Sequence, residues 1–297
     1  MKDLSVLILS YNTEDLTKQC LNALTASLSQ SNLRSEIIVI DNASTDGSVQ
    51  MLAEYKKKHH SDHIQLTVEY NTKNNGFTGG NNQALALASG KYILYLNSDV
   101  IIHNVDFFVL LEYLDNHKQV GGLTVEVMLP TGKLDPACHR GFPTPWNAAT
   151  YFLKLEKLFG TVPVVNRVVG GYHMTYRDMN KIHEIDAPAA AFYLTRKEIV
   201  DKLKGFDADN FFAYGEDIDL TYRTKELGYS IVYYPYFRVI HHKWSSGLKS
   251  KDPAVRQRTK TYFNGAMKTF YKKHYDKRYP KLVNTIMYWL MDIKSKM

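Results

Sequence analysis

The first hundred residues alternate between short apolar runs and segments in which apolar residues recur at helical spacing. The apolar runs are Leu4–Leu9, Glu36–Ile40, Ile64–Val68 and Tyr92–Leu96, and the helical patterns lie near Leu16–Leu28, Ser48–Lys58 and Gly80–Ala88. Strands that are buried on both faces read as continuous apolar runs, and crossover helices join parallel strands. The alternation therefore predicts an α/β fold built on a parallel sheet with crossover helices.

Polar residues follow each of the four apolar runs. They are Ser10–Asn12, Asp41–Ser44, Asn71–Asn75 and Asn97–Asp99. Ligands of such sheets bind beyond the carboxyl ends of the strands, so we expect these segments to converge on one crevice. Asp41 could accept a hydrogen bond from the imide N–H of a pyrimidine or from a ribose hydroxyl. The alternative for Asp41 is a turn or a helix cap.

From about Val120 the alternation weakens, and Pro130–Pro145 is rich in turn formers, which indicates a loop between two halves. Three further elements are predicted after this loop. They are a strand over Ile185–Thr195, a helix over Glu216–Leu227 that stops at Gly228, and a strand over Ser230–Tyr234. We divide the chain into 1–119, 120–250 and a basic, tyrosine-rich tail over 251–297.

Two local patterns indicate binding of a phosphorylated ligand. The glycines of Gly76–Asn82 would let the backbone approach a ligand closely before a helix N-terminus, which favours phosphate. Asp99 follows an apolar strand, and a hard cation that bridges a diphosphate prefers carboxylate oxygen. The alternative for Asp99 is an ordinary aspartate at the start of a loop.

An acidic cluster and a histidine pair follow in the second half. Three carboxylates within Glu216–Asp219 follow the aromatic run Phe211–Tyr214, which suggests a walled pocket for a general base. Acidic residues are also common at a helix start because of the helix dipole. His241 or His242 could bind the same metal as Asp99, and in an extended segment only one of the two would reach it.

Composition narrows the class of protein. The 297 residues are 44% apolar and carry a formal net charge of +7, which favours anionic partners. Nucleic acid ranks last among these because much of the excess charge lies in the tail. Two cysteines predict no disulfide framework, and neither a signal peptide nor an apolar run of spanning length is found, so we expect a cytoplasmic protein.

Taken together, these residues resemble the family-two inverting glycosyltransferases, and within them the rhamnosyltransferase-like branch that builds bacterial surface polysaccharides. The matching segments are Leu9–Asn12, Val39–Ser48, Asn75–Asn82, Leu96–Asp99, Arg140–Thr144, Gly205–Asp207, Tyr214–Leu220 and Val239–His241. The resemblance implies a GT-A fold, a Rossmann-like, mostly parallel sheet flanked by helices, over residues 1–250. Residues 251–297 would then be a helical extension. Two segments depart from the branch, Lys243–Trp244 and Ala189–Ala191, and both bear on substrate shape.

The resemblance also implies roles for individual residues. Asp217 would be the catalytic base, and Asp99 and His241 would bind Mg²⁺ or Mn²⁺, with His242 as the alternative ligand. The nucleotide would contact residues among Ser10, Tyr11, Asn12, Asp41, Asn42, Ser44, Asn75, Gly76, Asn81, Asn97 and Ser98. The acceptor would contact residues among Arg140, Tyr214, Glu216, Asp219, His242 and Trp244.

The implied function is metal-assisted transfer of a sugar from a nucleotide donor to a glycan or lipid-linked glycan. dTDP-rhamnose is the leading donor, and UDP-hexoses and UDP-galactofuranose are alternatives. Two other classes remain open, a sugar-nucleotide nucleotidyltransferase and a noncatalytic glycan- or nucleotide-binding subunit. The tail would either rest on anionic lipid at the inner face of the cell membrane or pack on the catalytic core. Homodimerisation is also left open.

Overall fold

A computed structural model describes residues 2–59, 61–243 and 253–296. The first half contains β1 (Lys2–Ser10), α1 (Glu14–Ser29), β2 (Ser35–Asp41), α2 (Ser48–Lys58), β3 (Ile64–Tyr70), α3 (Gly76–Leu87), β4 (Gly90–Asn97), β5 (Val100–His103) and α4 (Phe107–Asn116). Every strand and helix predicted for residues 1–97 is present. The predicted bounds differ from the observed ones by at most four residues, and those of α2 coincide.

The second half is more irregular. It contains β6 (Val120–Met128), a 3-10 turn (Pro136–Cys138), α5 (Pro145–Phe152), α6 (Leu155–Phe159), α7 (Pro163–Val169), β7 (His183–Ile185), β8 (Phe192–Arg196), α8 (Lys197–Leu203), α9 (Glu216–Glu226) and β9 (Ser230–His241). Two helices follow, α10 (Pro253–His274) and α11 (Lys281–Lys296). No helix of the described residues has the length and apolarity needed to cross a bilayer.

One sheet runs through both halves in the order β3-β2-β1-β4-β8-β6-β9-β5, and β7 pairs with β9. The four strands β3, β2, β1 and β4 are parallel, as the apolar runs predict. The second half mixes directions, because β8 is antiparallel to both of its neighbours while β6 and β9 run parallel. The predicted α/β architecture with helices on both sides of the sheet is confirmed.

The single strand predicted over Ile185–Thr195 is wrong. β7 pairs with β9, whereas β8 pairs with β4 and β6, so the chain crosses the sheet between them. The crossing segment contains Pro188, which has no N–H to donate to a sheet. β9 also continues past Pro235 to His241, and the pairing with β6 skips residues 235–237. A bulge of this kind accommodates proline in a strand.

Alternate residues of the strands belong to two apolar clusters, which lie on opposite faces of the sheet. On β1, Leu4, Val6 and Ile8 belong to one cluster and Leu7 belongs to the other. A third cluster joins the tail to the second half, where Phe270 of α10 and Tyr275, the residue after that helix, pack with Phe211 and Tyr222. Of the two alternatives for the tail, packing on the catalytic core is therefore observed for α10.

Candidate active site

The loops after β1 and β2 are tied together by side chains that were predicted to bind the nucleotide. The backbone N–H of Asn12 donates to Ser44 Oγ (2.9 Å), and Asn12 Oδ1 accepts from the backbone N–H of Thr45 (2.7 Å). Asn12 has a positive φ of 54°, which asparagine tolerates better than most residues. Tyr11 lies half-buried on the same loop. These bonds fix one wall of the crevice.

Asp41 lies at the end of β2 and keeps one oxygen open. Its Oδ1 accepts from the backbone N–H of Ser44 (2.9 Å), which is the turn geometry that the sequence left as an alternative. Its Oδ2 is buried and has no hydrogen-bond partner among the described residues. A buried carboxylate oxygen without a donor is costly, so this atom is suited to receive a donor from a ligand.

Asn42 has its amide fully engaged by protein. Its Nδ2 donates to Asn74 Oδ1 (2.9 Å) and to the Gly76 carbonyl (3.1 Å), and its Oδ1 accepts from Asn71 Nδ2 and the Asn75 backbone N–H. The side chain is 1% exposed. Asn42 therefore organises the loop before α3 and presents no free polar atom to a ligand.

The phosphate loop predicted at Gly76–Asn82 is not supported. α3 begins at Gly76 rather than Gly80, and the Phe212 carbonyl accepts from the backbone N–H groups of Phe77 (2.8 Å) and Thr78 (3.4 Å). The helix N-terminus is therefore capped by protein. A Cβ at Gly80 would overlap a Leu9 methyl, so this glycine allows close packing of α3 on β1. Asn81 is buried and donates to the Phe77 carbonyl (2.8 Å) within the helix.

The segment after β4 carries the predicted metal-binding carboxylate. Thr13 Oγ1 lies 3.1 Å from Ser98 Oγ and continues a chain of hydroxyls to Thr17 and Ser10. Asn97 Oδ1 is buried without a hydrogen-bond partner among the described residues. These contacts hold the backbone that leads to Asp99 against the first loop.

Asp99 and His241 meet although 142 positions separate them in the chain. β5 begins directly after Asp99, and its first residue, Val100, pairs with His241. His241 Nε2 lies 3.3 Å from Asp99 Oδ1. The His242 backbone N–H donates to the Asp99 carbonyl (2.9 Å), while its side chain takes the other face of the extended segment.

Asp135 stands behind this pair, and sequence reasoning missed it. Its carboxylate has no exposed surface, and it accepts from His241 Nδ1 (2.9 Å) and Lys243 Nζ (2.7 Å). Burial alone would raise the pKa of Asp135, but His241 and Lys243 hold it well below its usual range. Burial alone would lower the pKa of His241, but the hydrogen bonds to Asp135 and Asp99 raise it to about 9.

These residues fit a divalent cation that shares its coordination with a ligand. With Nδ1 held by Asp135, His241 aims Nε2 at Asp99, and histidine ligands of metals commonly donate their other nitrogen to a carboxylate in this way. No group of three or more His, Cys, Asp or Glu that could hold a metal occurs in the described part of the chain. Mg²⁺ commonly binds through one or two protein carboxylates plus substrate phosphates, so two protein ligands suffice.

The second carboxylate centre lies at the start of α9. Asp217 is the second residue of that helix, and its Oδ2 accepts from Arg140 Nη2 at 2.6 Å. Arg140 is buried and also donates to the carbonyls of Ala187 (3.2 Å) and Pro188 (3.3 Å). The guanidinium thus fixes the orientation of Asp217. The sequence analysis expected Arg140 to contact the acceptor, whereas in the structure Arg140 contacts the predicted base.

Glu216 lies beside Asp217 in a different environment. Its side chain is buried, and Oε2 has no hydrogen-bond partner among the described residues. Burial and the neighbouring Asp217 charge raise the pKa of Glu216 to about 8. Before it, Tyr214 and Gly215 both adopt positive φ, 70° and 79°. Such a backbone is strained for tyrosine, and strain of this kind concentrates at functional sites.

Asp219 is occupied by structural contacts. Its side chain has no exposed surface and pairs with Arg223 Nε (2.8 Å), His274 Nε2 (2.7 Å) and Lys273 Nζ (2.7 Å). Asp219 fastens α10 to α9. It is therefore not available to contact an acceptor, contrary to the expectation from the sequence. The acceptor candidate Trp244 lies outside the described residues.

The crossing segment between β7 and β8 connects the two carboxylate centres. In its first part, the carbonyls of Ala187 and Pro188 accept hydrogen bonds from Arg140. In its last part, the Ala191 carbonyl accepts a hydrogen bond from the Asn97 backbone N–H (3.1 Å). Asp217 and Asp99 are therefore linked through one short strip of backbone. The geometry provides an anchored carboxylate on one side and the Asp99–His241 pair on the other.

A sequence profile described as Glycosyl transferase family 2 matches residues 5–176, more than half of the chain. The chain belongs to this family. One relative is similar over most of the chain. The rhamnosyltransferase WbbL of Escherichia coli K12 is 26% identical over 265 residues, which cover 87% of this chain and 90% of WbbL. The poly(ribitol-phosphate) beta-glucosyltransferase of Bacillus spizizenii is 38% identical over 97 residues, 32% of this chain and only 14% of that protein.

Solved structures share the fold of this family-2 chain. The mannosyltransferase PcManGT from Pyrobaculum calidifontis, in complex with GDP-Man and Mn²⁺, has a TM-score of 0.59 at 17% identity over 92% of this chain and 66% of that chain. GalNAc-T7 with UDP, GalNAc and Mn²⁺ has a TM-score of 0.60 at 16% identity, over 82% of this chain and 44% of that chain. The predicted GT-A fold is confirmed.

Proposed function

We propose that this family-2 protein transfers a sugar from a nucleotide donor to a hydroxyl of a glycan or lipid-linked glycan, with inversion at the anomeric carbon. The observation that carries the proposal is the oriented carboxylate of Asp217, held by Arg140 at 2.6 Å and linked by the 187–191 segment to the Asp99–His241 pair. An anchored base would activate the acceptor hydroxyl, and an ion held by the Asp99–His241 pair would stabilise the leaving diphosphate in a single displacement.

Asp217 takes the proton of the acceptor hydroxyl as that oxygen bonds to the anomeric carbon. The bond from the anomeric carbon to the donor phosphate oxygen breaks on the opposite side, and the electron pair leaves with the nucleoside diphosphate. Arg140 keeps Asp217 pointed at the acceptor because its guanidinium is anchored by two carbonyls. Glu216, with its pKa raised to about 8, stays protonated at neutral pH and adds no second charge beside the base.

Asp99 and His241 would hold Mg²⁺ or Mn²⁺. When bound, such an ion supplies electrostatic stabilisation of the charge that develops on the leaving diphosphate. Asp135 orients His241 for this role through the 2.9 Å hydrogen bond to Nδ1. On the nucleotide side, the open Oδ2 of Asp41 accepts a donor from the base or the ribose.

The leading donor is dTDP-rhamnose. WbbL supports this choice because it is named a rhamnosyltransferase and aligns with 87% of this chain. UDP-sugars are the second candidate, since the staphylococcal poly(ribitol-phosphate) beta-N-acetylglucosaminyltransferase TarS, solved with UDP-GlcNAc, shares the fold with a TM-score of 0.54. The acceptor would be a bacterial surface polysaccharide precursor at the cytoplasmic side.

The test is a donor panel. The purified protein is incubated with dTDP-rhamnose, UDP-glucose, UDP-GlcNAc and UDP-galactofuranose, each with Mn²⁺, with Mg²⁺ and with EDTA, and released nucleoside diphosphate is measured. We expect slow, metal-dependent release from one donor and inverted configuration in any transferred sugar by NMR. The matched variant Asp217→Asn should bind that donor and lose turnover. Binding of a donor by both proteins without turnover by either would favour a noncatalytic subunit.

A further inference from the structure

Exposed apolar side chains are concentrated in two segments of the second half and tail. In the described part of the chain, twenty large apolar residues are exposed, and twelve of them lie within residues 146–168 and 282–293. The other eight are spread over the remaining residues. Single exposed apolar residues need no explanation, whereas a concentration of them marks an interaction surface.

The α11 part of this concentration is a stripe along one helix face. Its exposed residues are Leu282, Ile286, Trp289 and Ile293, spaced by four, three and four positions. The opposite face carries Met287 and Met291, which are buried in the cluster with α10. The helix is therefore apolar on both sides, but the described residues of the chain cover only one of them.

The α5–α7 part contributes the larger share. Its exposed residues are Trp146, Tyr151, Leu153, Leu158, Phe159, Val162, Val164 and Val168. Leu158 is 69% exposed and Val164 is 78% exposed, although both are fully apolar. α6 buries none of its residues. The indole N–H of Trp146 donates to the Val168 carbonyl (2.7 Å), which ties the two ends of the segment together.

The two parts adjoin and carry basic residues. Lys294 Nζ of α11 lies 4.8 Å from the ring centre of Phe152 and 5.4 Å from that of Tyr151 on α5. Further exposed cations on the two segments are Lys154, Lys157, Arg167 and Lys281. The acidic residues Glu156 and Asp292 are both engaged, Glu156 with His173 and Asp292 with Lys268.

We propose that α5–α7 and α11 together form a surface that rests on a lipid bilayer with anionic headgroups. Apolar side chains interspersed with lysine and arginine, with a tryptophan in each part, match the interface between acyl chains and headgroups. A second copy of the chain fits less well, because a two-fold contact would set the same cations against each other. The surface rests on the bilayer without crossing it.

This surface lies on the half of the molecule that holds the proposed base. α5 begins five residues after Arg140, and Ala148 of α5 belongs to the apolar cluster that contains Phe211 and α10. Docking of this surface would bring the acceptor side of the protein to the bilayer.

The test is sedimentation of the purified protein with vesicles of phosphatidylcholine alone and of an equal mixture with phosphatidylglycerol. We compare the wild type with Leu158→Ser/Val164→Ser, with Ile286→Ser/Trp289→Ser and with the control Leu87→Ser/Phe108→Ser, whose residues are exposed elsewhere. Each double variant of the surface should bind the mixed vesicles about ten-fold more weakly, because apolar insertion drives such binding. The control should bind like the wild type.

A charge variant and a stability check complete the design. Lys154→Glu/Lys157→Glu should also weaken binding to the mixed vesicles, and salt should weaken binding of the wild type. Circular dichroism melts confirm that each variant is folded. Failure of the wild type to bind mixed vesicles would overturn the proposal. Surface variants that bind vesicles as well as the control does would also overturn it. A third contradicting result would be an absence of vesicle binding together with self-association, measured by ultracentrifugation, that the surface variants abolish.

Discussion

Two carboxylate pairs occupy the cleft, and they differ in the cation that each carboxylate faces. Asp99 faces His241 Nε2 at 3.3 Å, whereas Asp217 faces Arg140 Nη2 at 2.6 Å. An imidazole can give up its proton at that nitrogen, and a metal can then replace the proton. A guanidinium cannot be deprotonated in a protein and cannot bind a metal. The first pair is therefore exchangeable and the second is permanent.

The supporting residues differ in the same sense. Behind His241 lies the buried charge of Asp135, which fixes the ring and leaves Nε2 to point at Asp99. Behind Arg140 lie the backbone carbonyls of Ala187 and Pro188, which position the guanidinium and carry no charge of their own. The surroundings of Asp99 therefore fit an exchangeable cation, whereas those of Asp217 fix the direction of its carboxylate.

Removal of the base charge should have the largest effect. We expect Asp217→Asn to lower kcat by about 10²- to 10⁴-fold, because general base catalysis contributes that much, while donor affinity stays unchanged. Steady-state kinetics and donor titration measure the two quantities. Asp201→Asn, which removes an exposed carboxylate paired with Lys197 on α8, is the matched control. Unchanged turnover in Asp217→Asn would show that another group takes the proton.

A smaller effect is expected behind the exchangeable pair. Asp135→Asn should weaken Mn²⁺ binding about 10- to 100-fold, the usual cost of losing a partner that orients a metal-binding histidine. Lys243→Met removes the other partner of Asp135 but leaves the bond to His241 Nδ1, so its effect on Mn²⁺ affinity should be smaller. Calorimetric titration measures both. Equal Mn²⁺ affinity in Asp135→Asn and the wild type would exclude this positioning role.

A third effect concerns stability near the permanent pair. The carboxyl of Glu216 has a pKa of about 8 when folded and ionises near its ordinary value of 4.5 when unfolded. Between these values only the unfolded state releases the proton, so the folded state loses stability as pH rises. Glu216→Gln does not titrate. The melting temperature of Glu216→Gln should therefore rise relative to that of the wild type from pH 5 to pH 8. A difference between the two melting temperatures that stays constant with pH would contradict the raised pKa.

The parallel half of the fold was predictable because its signal is local. Each of β1 to β4 is a short apolar run, and each run ends in polar residues that the structure brings to one edge. The start of α3 was not predictable, because its N–H groups are satisfied by Phe212, which is 136 positions from Gly76. The split of β7 from β8 likewise depends on pairing with β9 and β4 rather than on local pattern.

The candidate site shows the same division. Asp99, Asp217 and His241 stand out in the sequence because carboxylates and histidines follow or end apolar runs. Asp135 does not stand out, because an aspartate before a proline in a turn-rich segment has an ordinary local explanation as a cap, and it does accept from the Ala137 N–H. Only the distance to His241 distinguishes it. Asp219 shows the converse, since a residue next to the site in sequence is engaged with α10.

The most direct test is to measure Mn²⁺ binding by EPR, with and without UDP or dTDP. Three proteins are compared, the wild type, Asp217→Asn and Asp99→Asn. The wild type and Asp217→Asn should bind Mn²⁺ and bind it more tightly with the nucleotide, whereas Asp99→Asn should lose this binding, since Asp99 belongs to the exchangeable pair and Asp217 to the permanent one. Undiminished binding by Asp99→Asn, or loss of binding by Asp217→Asn alone, would contradict the assignment of the two carboxylates.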